Sequence, residues 1–190
     1  MISQQSLFIE YPDHHIHLRY IAPASGAIKQ PVMMVHGAIE DGRIFYTESG
    51  KGLACELARA GHPTYVVDLR GRGMSFPPIH SDSNHGQFEA ITQTLPDAHQ
   101  FIYNRHRQPI HWVAHSWGGV LLASAFVRYG ELSSQVASQV FFGTKRSVHS
   151  WTFERLLKIE LFWKRLALVA AKLKGYLPAR EWKLGSDNET

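Results

Sequence analysis

Short apolar runs alternate with segments of helical periodicity along most of this 190-residue chain. The apolar runs are 31–37 (PVMMVHG), 63–73 (PTYVVDLRGRG), 109–116 (PIHWVAHS) and 138–143 (SQVFFG). Strands that are covered on both faces of a parallel sheet have this composition, because neither face meets water. The alternation with helical segments therefore predicts an α/β fold with a mostly parallel sheet and helices on both faces.

The segments around these runs complete the pattern. Residues 7–21 predict two short strands around a Pro-Asp turn. Leu53, Leu57 and Ala60 recur at helical spacing. Helices are predicted over 50–62, over 86–107 with Pro96 as an interruption, and over 118–130.

The C-terminal part has another pattern. Residues 153–175 contain an apolar stripe at helical spacing, and Lys158, Arg165 and Lys172 repeat on another face. We interpret this segment as a helix packed on the domain. The alternative is a basic amphipathic helix that makes weak contact with a membrane surface or a lipid substrate.

Composition argues against several classes of protein. The 20 basic and 16 acidic residues give a formal charge of +4, and the basic residues before about residue 140 are scattered, so no nucleic acid partner is expected. Cys55 is the single cysteine, which excludes an internal disulfide and argues against a cysteine-based metal site. No metal or cofactor is implied. The lone cysteine suits a reducing compartment, and we expect a cytoplasmic protein.

The stretch WVAHSWGGVLL (112–122) places Ser116 where a predicted strand meets a predicted helix. A sharp turn of this kind strains the serine backbone, and it needs small residues two positions before and after the serine. Ala114 and Gly118 occupy these positions, and Gly119 adds clearance. The helix that follows directs free N–H groups at Ser116, where they favour developing negative charge. Ser116 is therefore a candidate nucleophile; a plain tight turn is the alternative.

Three motifs in this order resemble those of the α/β-hydrolase superfamily, on its esterase and lipase side. They are VHGAIEDGRIF (35–45), DLRGRGMS (68–75) and the Ser116 turn, in which Ala114 replaces the usual glycine. The resemblance covers about residues 5–145. It implies that the backbone N–H groups of Ala38 and Trp117 form an oxyanion hole. The supporting residues that it implies are His36, Gly37, Ala114, His115, Gly118 and Gly119.

The resemblance also divides the chain. Residues 1–145 are expected to be the N-terminal part of an α/β-hydrolase core that lacks its C-terminal strands, and 146–190 an incomplete helical lid segment. In the family the acid and the histidine follow the serine along the chain. His149 is the only histidine after Ser116, and it follows the fourth strand-like run, not a last strand. We therefore expect the sequence to stop inside the lid, before the acid and the histidine.

Other residues are weaker candidates for the catalytic acid and base. Glu131 lies past the far end of the predicted helix, and Asp68 is expected to have a structural role in its turn. His36 and His115 flank the serine but are expected to orient or pack. The glycines of GRGMSF suggest dinucleotide binding, but Phe76 stands where the third glycine would be needed.

These observations predict a serine hydrolase of carboxylic esters, in which Ser116 forms an acyl-enzyme with a small apolar substrate. Weak or no hydrolysis is expected from these residues alone, because serine without its base is a poor nucleophile. One alternative is a catalytically inactive truncated hydrolase that binds an acyl ligand or a partner. The other is a basic membrane-surface protein that acts through 153–175.

Overall fold

The chain folds into one six-stranded mixed sheet with helices on both faces. The computed structural model describes residues 2–23, 28–147, 153, 161–163, 165–179 and 181–182. The strands are β1 (Ser3–Glu10), β2 (His15–Ala22), β3 (Val32–Val35), β4 (Thr64–Val67), β5 (Ile110–His115) and β6 (Val136–Phe142). The helices are α1 (Leu53–Arg59), α2 (Gln87–Glu89), α3 (Leu95–His106), α4 (Trp117–Arg128), α5 (Leu132–Gln135) and α6 (Ala167–Lys174). A 3₁₀ turn spans Gly42–Ile44, and a π-helical turn spans Ala90–Thr94.

The strand order is β1-β2-β4-β3-β5-β6. The first two strands pair antiparallel, and β2 pairs antiparallel with β4, whereas β3, β4, β5 and β6 run parallel. After β3 the chain crosses to one side to form β4 and later to the other side to form β5. The gap between the carboxyl ends of β3 and β5 is therefore the topological switch point, where open α/β sheets bind ligands.

Two hydrophobic clusters cover the two faces of the sheet. Met33 and Val35 point into one cluster, and Val32 and Met34 point into the other, as the two-residue period of a strand requires. All residues of β3 and β4 are buried. The prediction of a mostly parallel sheet that is covered on both faces is confirmed.

Two helical details differ from the pattern in the sequence. Helix α1 buries Ala54, Cys55 and Ala58, whereas Leu53 is 40% exposed. The small side chains allow α1 to lie close to the sheet, which decides its orientation. The predicted helix over 86–107 is interrupted by the π-helical turn Ala90–Thr94, and Pro96 lies just after this turn, in the first turn of α3.

The C-terminal stripe faces outward where the structure describes it. Ala167 is buried, but Leu166, Val169 and Leu173 are exposed by 52%, 55% and 82%. The expectation that the stripe packs on the domain is wrong for these three residues, whose side chains remain open to solvent. Lys158 and the N-terminal half of the stripe lie outside the described residues. No described helix is both long and apolar enough to cross a bilayer.

Candidate functional site

Ser116 lies in a strained turn between β5 and α4. Its backbone angles are φ 50° and ψ −120°, a conformation that costs a non-glycine residue about 1–3 kcal/mol. Two hydrogen bonds hold the turn: the Ser116 N–H donates to the Phe142 carbonyl at 2.8 Å, and the Gly119 N–H donates to the Ser116 carbonyl at 3.3 Å. Neighbouring strands thus hold the serine in a shape that it would not adopt alone.

Small residues surround this turn because backbones meet there. A Cβ atom on Gly118 would lie 2.4 Å from the His36 carbonyl oxygen and 2.7 Å from that of Val35. The first turn of α4 therefore rests directly on the end of β3. Ala114 is fully buried beside Val35, its register partner in the sheet. Only a small side chain fits at either position.

The loop after β3 is held by the buried ring of His36. The Leu69 N–H donates to His36 Nε2 at 3.1 Å, so the ring proton lies on Nδ1, which donates to the Gly37 carbonyl at 2.8 Å. Burial lowers the pKa of His36 and thereby favours this neutral form. The Gly37 carbonyl and the Ala38 N–H belong to one trans peptide and point in opposite directions. His36 therefore aims the Ala38 N–H away from itself.

Ala38 and Trp117 border one cavity of about 210 Å³. Its walls include the apolar side chains of Leu69, Ile79 and Leu121, and also the charged or polar residues Arg70, Arg72, His85 and Glu89. The switch point of the sheet thus combines a serine, backbone N–H groups and a recess with both apolar and charged walls.

Glu40 is the residue of this site that the sequence reasoning missed. Its Oε2 atom accepts hydrogen bonds from the Gly37 N–H and from His115 Nδ1, each at 2.8 Å. The only signal in the sequence was a carboxylate in the same short loop as His36, Gly37 and Ala38.

The Asp68 carboxylate makes hydrogen bonds with residues of other segments and not with Ser116. Its carboxylate accepts hydrogen bonds from His17 Nδ1 at 2.8 Å, from the Gly42 N–H at 2.7 Å and from the Met74 N–H at 2.9 Å. Burial alone would raise the pKa of Asp68, but the hydrogen bonds from His17 and from the Met74 N–H hold it below its usual range. The carboxylate therefore ties β2 to two loops.

No side chain among the described residues hydrogen-bonds to Ser116 Oγ. Both ring nitrogens of His36 are occupied, and His115 Nδ1 is bound to Glu40. Glu131 is exposed beyond the far end of the 12-residue α4, about 18 Å along the helix. His149 lies outside the part of the chain that the structure describes. The structure thus brings Ser116, Ala38 and Trp117 to one edge, and the acid–histidine pair beside them, Glu40 with His115, makes no hydrogen bond to Ser116 Oγ.

Solved structures of hydrolases share this fold. A soluble variant of monoglyceride lipase from Saccharomyces cerevisiae aligns with a TM-score of 0.64 and 15% identity, over 90% of this chain and 52% of that one. The thioesterase domain from the curacin biosynthetic pathway aligns with a TM-score of 0.58 and 22% identity, over 82% of this chain and 50% of that one. Carboxylesterase CesB from Bacillus subtilis aligns with a TM-score of 0.53 and 15% identity, over 80% of this chain and 47% of that one. The chain spans about half the length of these structures.

Sequence comparison identifies the family. No curated protein matches the chain significantly. The family model described as "Serine aminopeptidase, S33" matches residues 26–185, which is most of the chain. The order of strands, the strained serine turn and the parallel sheet agree with that match. The chain therefore belongs to this family of α/β hydrolases.

Proposed function

We propose that the chain is a serine hydrolase of carboxylic esters, of the esterase and lipase type, with Ser116 as its nucleophile. The observation that carries the proposal is the strained backbone of Ser116 at the switch point. Strain of this kind persists only where the surrounding structure enforces it, and it is concentrated at functional sites. A nucleophile elbow is the arrangement that uses it, because it lifts the serine hydroxyl above the end of the sheet.

In the proposed reaction Ser116 Oγ attacks the acyl carbon of an ester. The carbonyl oxygen becomes negatively charged and accepts hydrogen bonds from the Ala38 and Trp117 N–H groups. Such a donor contributes about 10²–10³ in rate. The carbon–oxygen bond to the alcohol then breaks, the alcohol leaves with the proton that the Ser116 hydroxyl has given up, and the acyl group stays on Ser116. Water attacks this acyl-enzyme, releases the acid and restores the hydroxyl.

The cavity beside Ala38 and Trp117 supports an apolar acyl group as the part of the substrate that is recognised. Leu69, Ile79 and Leu121 form the apolar part of its lining, and its volume is about 210 Å³. This apolar part, next to the proposed oxyanion donors, would hold the acyl chain while the carbonyl faces Ser116. We therefore propose a small apolar ester as the substrate.

A second candidate is a non-catalytic module that binds an acyl ligand or a partner. It is favoured by one observation: no described histidine contacts Ser116 Oγ. Removal of a catalytic triad costs several powers of ten in rate and leaves about 10³–10⁴ over water from the oxyanion hole and substrate binding. We therefore expect slow chemistry at Ser116 and weak or no turnover from these residues alone.

A fluorophosphonate probe separates the two candidates. We expect slow covalent labelling of the folded chain that is lost in Ser116→Ala and kept in Ser134→Ala, an exposed serine at α5. Intact-mass spectrometry measures the adduct, and circular dichroism checks that each variant is folded. A folded wild-type chain without an adduct would remove Ser116 as nucleophile and leave the binding module.

Three expectations about the surroundings of the site stay predictions. A cytoplasmic location rests on the lone Cys55. The division into a core over 1–145 and a lid segment over 146–190 rests on the resemblance. Weak membrane contact through 153–175 is supported by the exposed apolar side chains of α6.

A further inference from the structure

We infer that Glu40 is a positioning residue that holds the Ala38 loop at a fixed distance from Ser116. The inference rests on the proposed function, because it concerns the geometry of the proposed oxyanion hole. It starts from one oxygen atom, Glu40 Oε2. That atom accepts a hydrogen bond from the Gly37 N–H and another from His115 Nδ1, each at 2.8 Å.

The two donors belong to different parts of the sheet. Gly37 follows β3, and His115 is the last residue of β5, directly before Ser116. The carboxylate therefore spans the switch point and joins the loop that carries one proposed oxyanion donor to the strand that carries the proposed nucleophile.

Gly37 lies between the carboxylate and the serine. A Cβ atom on Gly37 would lie 2.6 Å from Glu40 Oε2 and 3.1 Å from the Ser116 Cβ. The Gly37 backbone is thus in close contact with both side chains. A shift of the Glu40 carboxylate would directly change the space between the loop and the serine.

Glu40 complements His36. The His36 ring fixes the peptide between Gly37 and Ala38, whereas Glu40 fixes the preceding peptide through the Gly37 N–H. Glycine has two free backbone angles, so both flanking peptides must be held to determine the direction of the Ala38 N–H. With Glu40 removed, one of the two constraints is lost.

The contact differs from an ordinary surface ion pair. Exposed pairs contribute about 0–1 kcal/mol and seldom fix a backbone. The Glu40 side chain is 17% exposed and accepts a backbone N–H as well as the imidazole. Hydrogen bonds to a charged, partly buried acceptor are about twice as strong as neutral ones.

The test compares Glu40→Ala with Glu40→Gln, whose carbonyl oxygen can still accept the hydrogen bonds. Glu56→Ala is the matched control, because it removes an exposed carboxylate that pairs with Arg59 away from the site. Two quantities are measured: the amide hydrogen exchange of Gly37 and Ala38 by NMR, and the second-order rate of fluorophosphonate labelling at Ser116.

We expect Glu40→Ala to lose the protection of the Gly37 amide and to label about tenfold to a hundredfold more slowly, the loss that follows a misplacement of about 1 Å. Glu40→Gln should keep most of both properties, and Glu56→Ala should match the wild type. The inference is overturned if Gly37 exchange is unchanged in Glu40→Ala, if folded Glu40→Ala labels at the wild-type rate, or if Glu40→Gln is as impaired as Glu40→Ala. If the wild type does not label, the proposed function fails, and the exchange data still decide whether Glu40 holds the loop.

Discussion

At the scale of single residues, the site depends on the absence of a side chain at Gly118. The carbonyl oxygens of Val35 and His36 occupy the space that a Cβ would need. Both obstacles are backbone atoms, so they cannot move aside as the end of a flexible side chain can. Gly118 therefore sets how closely α4 approaches β3, and through it where Ser116 lies.

We predict that Gly118→Ala destabilises the protein by about 1–3 kcal/mol, the range for forcing extra atoms into a packed site. Urea denaturation followed by circular dichroism measures the change in the free energy of unfolding. Gly130→Ala is the control, because nothing lies within 4 Å of a Cβ there and its φ is not positive. That variant should be neutral or slightly stabilising. Equal effects of the two substitutions would contradict the account.

The sequence predicts best those positions whose size or conformation is constrained by residues close to them in the chain. The sharp turn at Ser116 could be predicted because such a turn needs small residues at fixed offsets, here Ala114 and Gly118, whereas the role of Ser116 as nucleophile stays a prediction. Glu40 could not, because its partner His115 is 75 positions away along the chain. Its role depends on the pairing of β3 with β5, which places the two loops side by side.

At the scale of elements, the buried strands were the most predictable part. The central strands β3 and β4 read as short apolar runs, and all their residues are buried because both faces of the sheet are covered there. The orientation of α1 was less predictable, because Leu53 and Leu57 suggest one face and the small residues Ala54, Cys55 and Ala58 form the buried one. Leu53 instead borders an open recess near His115, whereas Leu57 is half-buried against the core.

In helix α6, as in α1, the face that the hydrophobic spacing predicts to be buried is not the face that is buried. Hydrophobic spacing predicted that its apolar stripe would face the domain, yet Ala167 is the buried residue of the helix and Leu173 remains exposed. A stripe indicates that a face can be buried, not which surface buries it. The strand β6 likewise has mostly exposed residues, with Val140 and Phe142 exposed by 45% and 47%. Both elements lie at the edge of the described fold.

At the scale of the whole molecule, buried histidines make stability depend on pH. His36 and His99 are fully buried, and burial lowers the pKa of each. Their folded-state pKa values therefore lie below the value of about 6.5 in the unfolded chain. Below that pH the unfolded state takes up more protons than the folded state, so stability is full above about pH 6.5 and falls as the pH decreases.

We predict that the free energy of unfolding decreases between pH 7.5 and pH 5.5, by up to about 1.4 kcal/mol per pH unit for each such histidine. Urea denaturation at several pH values measures the slope. His99→Gln should reduce the slope, because its amide can replace the contacts with Trp112 and Gln135 without titrating. The exposed His80 provides the control His80→Gln, which should leave the slope unchanged. A flat profile across this range would count against the account.

The central claim concerns three groups at one edge of the sheet: the Ser116 hydroxyl and the N–H groups of Ala38 and Trp117. A crystal structure of the protein after reaction with a fluorophosphonate tests them together. We predict that phosphorus is bonded to Ser116 Oγ and that its free oxygen lies about 2.7–3.1 Å from both the Ala38 and the Trp117 nitrogen. An adduct on another residue, or a phosphonyl oxygen that contacts neither N–H, would contradict the claim.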